Sequence, residues 1–84
     1  MAKITVKYRG HLSALAGTPE DTFESADVES ALRAIRLRRG REAEKNARAM
    51  LITLNGKSIL LLKRYKTALK DGDVVSFFPI CAGG

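Results

Sequence analysis

A single apolar stripe at helical spacing is the feature that most constrains the fold of this chain. Its members recur at i, i+3, i+4 and i+7, and they are Val28, Ala31, Leu32 and Ile35. This spacing predicts an amphipathic helix with one buried face. Asp27 is placed to cap its N-terminus, and Gly40 is expected to end or bend it. Such a helix has to bury its apolar face against other elements, and the remaining apolar runs are short.

Five of those short runs have the period or the composition of strands. Residues 3–8 alternate, with Ile4, Val6 and Tyr8 on one side, as expected for a strand with one buried face. A second, more polar strand is centred on Phe23. The predicted strands cover residues 3–8, 21–25, 50–54, 59–62 and 74–78.

Turn residues separate these runs. Asn55-Gly56 lies between two apolar runs and predicts a hairpin, because both residues tolerate positive φ. Asp71-Gly72-Asp73 predicts a tight turn, and Pro79 is expected to end the last strand because it has no N–H to donate. Residues 11–16 are expected to form one short helical turn, and residues 41–49 a solvated helical extension or a loose loop.

The order of elements is strand, strand, helix, strand, strand, strand. It predicts an α+β domain of the ubiquitin-like β-grasp type, in which a mixed sheet of four to five strands carries one main helix on one face. The first and last strands are expected to lie side by side at its centre. A chain of 84 residues suffices for one domain, predicted over residues 1–79 and followed by a flexible tail over residues 80–84.

The composition limits which metal sites the chain can form and in which cellular compartment it is expected. No apolar run approaches the roughly 20 residues that span a bilayer, and the N-terminus lacks the apolar core of a signal peptide. A soluble, cytoplasmic protein is therefore expected. One cysteine, Cys81, and one histidine, His11, are too few for a zinc site, so no metal is expected.

The formal net charge is +6, and an excess of this kind suggests an acidic partner. Much of it lies in a basic stretch over residues 33–48, which comprises Arg33, Arg36, Arg38, Arg39, Arg41, Lys45 and Arg48. Aromatic residues are scarce there and no nucleic-acid-binding motif is present. A solvated face, or a match to an acidic partner enzyme, is favoured over binding to nucleic-acid phosphates.

The C-terminal part of the sequence resembles a known family. Residues 71–79 read Asp-Gly-Asp-Val-Val-Ser-Phe-Phe-Pro, and Gly83-Gly84 stands at the end. Together with Asn55-Gly56, this run resembles the small subunit of molybdopterin synthase (MoaD), and more broadly the MoaD/ThiS group of ubiquitin-like sulfur carriers. The element order is similar over the whole chain, whereas the motifs are confined to Asn55-Gly56 and residues 71–84.

The resemblance implies a carrier rather than an enzyme. It implies that an adenylating enzyme of the ubiquitin-activating type uses ATP to adenylate the Gly84 carboxylate, and that a sulfur donor then displaces AMP to leave a thiocarboxylate. The sulfur would pass to an acceptor, expected to be the molybdopterin synthase large subunit in molybdenum cofactor biosynthesis. No bound cofactor is expected. Gly83 and Gly84 lack a Cβ, which suits them to a narrow channel.

The last strand suggests a docking site. It is apolar on both faces, while one helix covers only one face, so the other is expected to expose an apolar patch of the kind found at protein–protein sites. The predicted docking residues are Phe77, Phe78, Pro79 and Ile80. The alternative is a central strand buried on both sides by loops.

Other functions stay open at this point. Carriers for thiamin, cysteine or tRNA thiolation share the same tail chemistry. A protein modifier joined through Gly84 to lysines begins with the same acyl-adenylate. The basic stretch also allows a plain nucleic-acid-binding module. Cys81 is expected to be a small residue in an extended segment rather than a reactive thiol.

Overall fold

The computed structural model describes residues 1–80, and it contains a five-stranded sheet. The strands and helices, in chain order, are β1 (Ala2–Lys7), α1 (His11–Ala16), β2 (Glu20–Ser25), α2 (Val28–Arg39), α3 (Arg41–Arg48), β3 (Leu51–Leu54), β4 (Lys57–Ser58) and β5 (Val74–Phe78). Two short 3-10 helices, Ile59–Leu61 and Arg64–Lys66, lie between β4 and β5.

The sheet is mixed, with the strand order β2-β1-β5-β3-β4. β1 runs parallel to β5, with Thr5 opposite Val74, and every other pairing is antiparallel. The first and last strands are therefore neighbours in the middle of the sheet, as predicted. This arrangement confirms the α+β class and the β-grasp fold.

The core lies between the sheet and α2. Ile4 and Val6 of β1 and Val75 and Phe77 of β5 are almost completely buried, because alternate residues of a strand point to the same face. The four residues of the α2 stripe have no exposed surface, which confirms the predicted amphipathic helix. Burial of each large apolar side chain contributes about 1.5–3 kcal/mol to folding.

Both ends of α2 follow from the sequence. The Asp27 carboxylate accepts a hydrogen bond from the Ser30 N–H at 2.8 Å, and the Ser30 hydroxyl accepts one from the Asp27 N–H at 3.2 Å. These reciprocal bonds satisfy N–H groups that the first helical turn leaves free. At the other end Gly40 has a φ of +102°, so the chain leaves α2 there and starts α3 at Arg41 in a new direction.

Of the two alternatives predicted for residues 41–49, a helical extension or a loose loop, the structure has the helix, α3. Its buried residues are two alanines, Ala43 and Ala47, and it packs mainly against α2. The segment therefore contributes to the core through small side chains, although it lacks large apolar ones.

The predicted fourth strand over residues 59–62 is wrong. The returning arm of the hairpin is β4, where Ser58 pairs with Thr53 and Lys57 with Leu54. The Asn55-Gly56 turn itself is confirmed, since both residues have positive φ. The Ser58 hydroxyl then accepts a hydrogen bond from the Leu60 N–H, which begins a 3-10 turn in place of a longer strand.

The predicted tail over residues 80–84 stays a prediction. Within it the structure describes Ile80, whereas Cys81, Ala82, Gly83 and Gly84 lie outside the described residues. Among residues 1–80, no helix has the length and the apolar character needed to cross a membrane.

Candidate functional site

The end of β5 brings the predicted docking residues to one place. β5 is paired with β1 as far as Ser76, opposite Lys7, and with β3 as far as Phe78, opposite Leu51. The last two residues of β5, Phe77 and Phe78, are therefore paired with β3 but not with β1. We call the surface formed there by Arg9, Leu51, Phe78, Pro79 and Ile80 the strand-end surface.

The two phenylalanines of β5 have different roles. Phe77 points into the core, has no exposed surface, and stacks on Tyr8 with ring centroids 6.3 Å apart. Its assignment to a docking surface is therefore corrected, because its side chain offers nothing to a partner. Phe78 points to the opposite face of the sheet and is half-buried. Phe78 is consequently the aromatic residue that β5 presents at the surface.

The apolar patch on the open face of the sheet is narrower than predicted. Alternation places Val74, Ser76 and Phe78 on this face of β5, where Val74 and Phe78 are half-buried and Ser76 is buried. Leu51, which pairs with Phe78, is exposed. Apolar surface is therefore concentrated where the strand ends, not spread along its length.

Two residues of the loop between β1 and α1, Arg9 and Gly10, contact the end of β5. The guanidinium of Arg9 lies 5.0 Å from the centroid of the Phe78 ring, a distance typical of a cation–π contact. Gly10 has a φ of +61°, and a Cβ on it would lie 3.0 Å from Cγ of Pro79. Gly10 thus lets the proline ring pack directly on the backbone, so β5 ends against the loop that begins α1.

Ile80 borders a groove beside the strand-end surface. It is 58% exposed, and the groove has a volume of about 320 Å³. The apolar lining consists of Met50, Leu51, Ile52, Ile59, Leu60, Tyr65 and Ile80, and the two arginines that also line it are Arg48 and Arg64. We call this cavity the side groove. It shares Leu51 and Ile80 with the strand-end surface, so the two surfaces are continuous.

A polar cluster formed by Tyr8, Asp21 and Arg39 lies outside the strand-end surface and the side groove. The Tyr8 hydroxyl donates to Asp21 at 2.8 Å, and Asp21 accepts two hydrogen bonds from Arg39 at 2.6 and 2.8 Å. The Arg39 guanidinium holds the pKa of the Asp21 carboxyl below its usual range. Burial, together with the smaller effect of the hydrogen bond to Asp21, raises the pKa of Tyr8. The cluster connects β1 and β2 to the end of α2.

Much of the basic stretch is engaged within the chain. Four of its seven members contact acidic or aromatic side chains: Arg33 pairs with Glu29, Arg38 lies over Phe23, Arg39 pairs with Asp21, and Arg48 pairs with Glu29 and Glu44. The hydrogen bond from Arg48 is the main cause that lowers the pKa of Glu29. Arg36, Arg41 and Lys45 are exposed, and no ion pair forms on them within residues 1–80.

The residues predicted to react belong to the tail and are not part of the strand-end surface or the side groove. Gly83 and Gly84, the predicted reacting end, lie outside the described residues, as does Cys81. In the described part of the chain, no group of three or more His, Cys, Asp or Glu side chains could hold a metal ion. The described residues offer instead a surface for a partner.

Two parts of the site were missed by sequence reasoning. The first is the contact of Gly10 with Pro79, because nothing in the sequence around Gly10 indicates that Pro79 packs on it. The side groove depends on residues 59–66 forming 3-10 turns, whereas their apolar run favours a strand. One usable signal was Ser58, which can cap a turn and compete with strand pairing.

Comparisons with known proteins agree with this fold. The family model described as the ThiS family matches residues 6–84. A comparison with curated proteins gives no match. Among solved structures, the small archaeal modifier protein 1 of Methanosarcina acetivorans is 27% identical, with a TM-score of 0.86, over 100% of this chain and 98% of that one.

Two further solved structures have similar levels of identity. A candidate subunit 1 of the molybdopterin converting factor from Pyrococcus furiosus is 26% identical, with a TM-score of 0.72, over 94% of this chain and 98% of that one. A chain of the complex between subunits 1 and 2 of the molybdopterin-converting factor from Helicobacter pylori 26695 is 28% identical, with a TM-score of 0.64, over 98% of this chain and 99% of that one.

Proposed function

Because this chain belongs to the ThiS family, we propose that it is a sulfur carrier that works through the carboxylate of Gly84. The family and its structural neighbours comprise small ubiquitin-like sulfur carriers and modifiers. The observation that carries the proposal is the extent of the family match, which reaches residue 84 and so includes the Gly83-Gly84 pair. In this function the chain is a co-substrate of other enzymes and not itself a catalyst.

The chemistry requires activation because a carboxylate is a poor electrophile. In the proposed first step, an oxygen of the Gly84 carboxylate attacks the α-phosphorus of ATP, and pyrophosphate leaves. Hydrosulfide or an equivalent donor then attacks the acyl carbon, AMP departs with the bonding electrons, and a thiocarboxylate remains. The activating enzyme supplies the acid, base and metal. This chain supplies reach, since five residues after Pro79 extend at most about 17 Å.

The strand-end surface is the proposed docking site for the activating enzyme. Phe78, Pro79 and Ile80 lie directly before the tail, so a partner held there is close to the reacting end. Replacing Ile80 by Asp is expected to raise the KM for this chain in the activation reaction, because a charge would oppose burial in the interface. Leu37→Asp is the matched control, since Leu37 is 89% exposed on α2 and lies outside this surface. An unchanged KM for Ile80→Asp would remove the strand end from the interface.

The proposed acceptor is the large subunit of a molybdopterin synthase. Two of the similar structures support this choice, since one is described as a candidate subunit 1 of a molybdopterin converting factor, and the other is a chain of the complex between subunits 1 and 2 of that factor from Helicobacter pylori. In this proposal the chain is the small subunit of a two-protein complex in molybdenum cofactor biosynthesis.

A second candidate function is attachment to other proteins. It is favoured by the likeness to the small archaeal modifier protein 1 of Methanosarcina acetivorans. In this case a lysine amine replaces hydrosulfide as the nucleophile that attacks the acyl-adenylate, AMP departs with the bonding electrons, the amine loses a proton, and an isopeptide bond forms. The two functions share the activation step and differ in the nucleophile that attacks afterwards.

The test of the proposal is ATP–pyrophosphate exchange with the untagged chain and the adenylating enzyme from the same cells. Exchange is expected with the natural chain and with Cys81→Ser, because the thiol takes no part. It is expected to be lost when Gly84 is deleted or when one alanine is added after it. Exchange by the extended variant, with no trimming detected by mass spectrometry, would refute the role of the Gly84 carboxylate.

A further inference from the structure

The side groove lies in a part of the chain that has no acidic residue. Between Glu44 and Asp71 the sequence contains seven basic residues and neither Asp nor Glu. One of them, Arg64, lines the groove, and Lys63 and Lys66 are near it in the chain; all three are exposed. Within residues 1–80 none of the three forms an ion pair. The surface around the groove therefore carries a positive charge that the described residues do not neutralise.

The same surface exposes bulky apolar side chains. Leu60 is 62% exposed, and Leu51, Tyr65 and Ile80 are exposed beside it. Apolar side chains gathered around a concave, charged-rimmed surface mark a binding site for a partner. A volume of about 320 Å³ is enough for one or two large side chains.

One wall of the groove is held in place by internal contacts. Arg48 is bound to Glu29 at 2.9 Å and to Glu44 at 3.0 Å, and its guanidinium lies 5.2 Å from the centroid of the Tyr65 ring. These contacts connect α2 and α3 to the second 3-10 turn. A wall fixed before binding reduces the entropy lost when a partner is bound.

We propose that the side groove binds an acidic segment of a partner protein, which inserts a bulky apolar side chain between Leu60 and Ile80. Charge complementarity selects this occupant, because the free lysines and arginine of the turns face acidic residues that flank the inserted side chain. The concave shape favours a protein segment over a flat bilayer surface. The binding does not depend on activation of Gly84, so this inference goes beyond the proposed function.

The test is a selection of the full-length chain against a displayed library of random twelve-residue peptides at low ionic strength. The expected result is enrichment of peptides with several Asp or Glu residues around Leu, Phe or Trp. The best peptide should bind about tenfold more weakly to Leu60→Ser, since a buried apolar contact is lost. Arg64→Glu should weaken it several-fold, and 0.5 M salt should do the same by screening.

Matched variants on α2 control for general loss of charge and apolar surface. Leu37→Ser and Arg36→Glu change the same residue types at exposed positions away from the groove, and both are expected to keep the peptide affinity. Deletion of Gly84 is expected to keep it too, although the same deletion abolishes pyrophosphate exchange. A failure here is thereby distinguished from a failure of the carrier function.

Several results would overturn the proposal. They are enrichment of neutral or basic peptides, an affinity unchanged by Leu60→Ser, or equal losses in the α2 controls. A library without any enriched peptide would also overturn it. Phosphatidylserine vesicles or single-stranded RNA that bind with the same dependence on Leu60 and Arg64, in the absence of peptide binding, would assign the groove to a membrane or a nucleic acid instead.

Discussion

Gly10 is the residue on which the position of the strand end most depends. Its φ of +61° is costly for any residue with a Cβ, and such a Cβ would also press on Pro79 at 3.0 Å. Gly10→Ala is therefore expected to destabilise the domain by about 1–3 kcal/mol, measured by urea unfolding. The cost should be smaller in a Pro79→Ala background, because the ring is gone. Equal costs in the two backgrounds would contradict the packing of Pro79 on Gly10.

The ionisation of Asp21 contributes to the stability of the fold. Its side chain is 7% exposed, and the Arg39 hydrogen bonds lower its pKa in the folded chain. Asp21→Asn is expected to cost about 1.5–3 kcal/mol at pH 7, the range for hydrogen bonds to charged groups. Glu24→Gln, at an exposed position of the same strand, should change stability by less than about 0.5 kcal/mol.

The pH dependence of that loss has a definite sign. A carboxyl group with a lowered folded-state pKa stabilises the fold fully above its unfolded-state pKa, about 3.9 for Asp. The contribution is lost as the pH falls through the lower, folded-state pKa. The difference in unfolding free energy between the natural chain and Asp21→Asn should therefore shrink below about pH 4. A difference that stays constant down to pH 2 would show that the carboxylate is not what Arg39 and Tyr8 stabilise.

At the scale of helices and strands, α3 shows why the burial of small side chains is hard to predict from sequence. Ala43 and Ala47 are buried against α2 and α1, although alanine alone does not indicate a buried face. Because the space is small, Ala47→Leu is expected to overpack it and to destabilise the domain by about 1–3 kcal/mol. Ala49→Leu, just after the helix and exposed, should stay within about 0.5 kcal/mol. Equal thermal unfolding of the two variants would place α3 away from the core.

The accuracy of the sequence prediction differed between elements for a physical reason. α2 and β1 were predictable because their apolar residues repeat with the period of the element, and burial enforces that period. β5 was predictable because its short apolar run lies between a tight turn and Pro79. The conformation of residues 59–62 was not predictable in this way. Ile59 is buried while Leu60 and Leu61 are exposed, so the apolar character of this run does not indicate whether it pairs as a strand. The side groove depends on those turns and was missed with them.

At the scale of the whole molecule, the candidate site is predictable only where it coincides with the sheet. The position of β5 at the centre of the sheet brings Phe78, Pro79 and Ile80 to one edge, as the element order implied. Phe77 was assigned to the surface because an isolated strand sequence does not tell which face the helix covers. The partner surfaces on the two sides of Ile80 arise from loops that are distant in sequence, Arg9-Gly10 and residues 59–66.

The proposed carrier function requires this chain and its partners together, and the mass of the chain tests the proposal most directly. We would purify the untagged protein from its own cells and measure its intact mass under reducing and non-reducing conditions. The account predicts a species heavier by the difference between sulfur and oxygen, with the change localised to Gly84. An unmodified carboxylate, accompanied by Gly-Gly remnants on lysines of other proteins, would favour the modifier function. Neither species, even after addition of the activating enzyme, ATP and sulfide, would contradict the central claim.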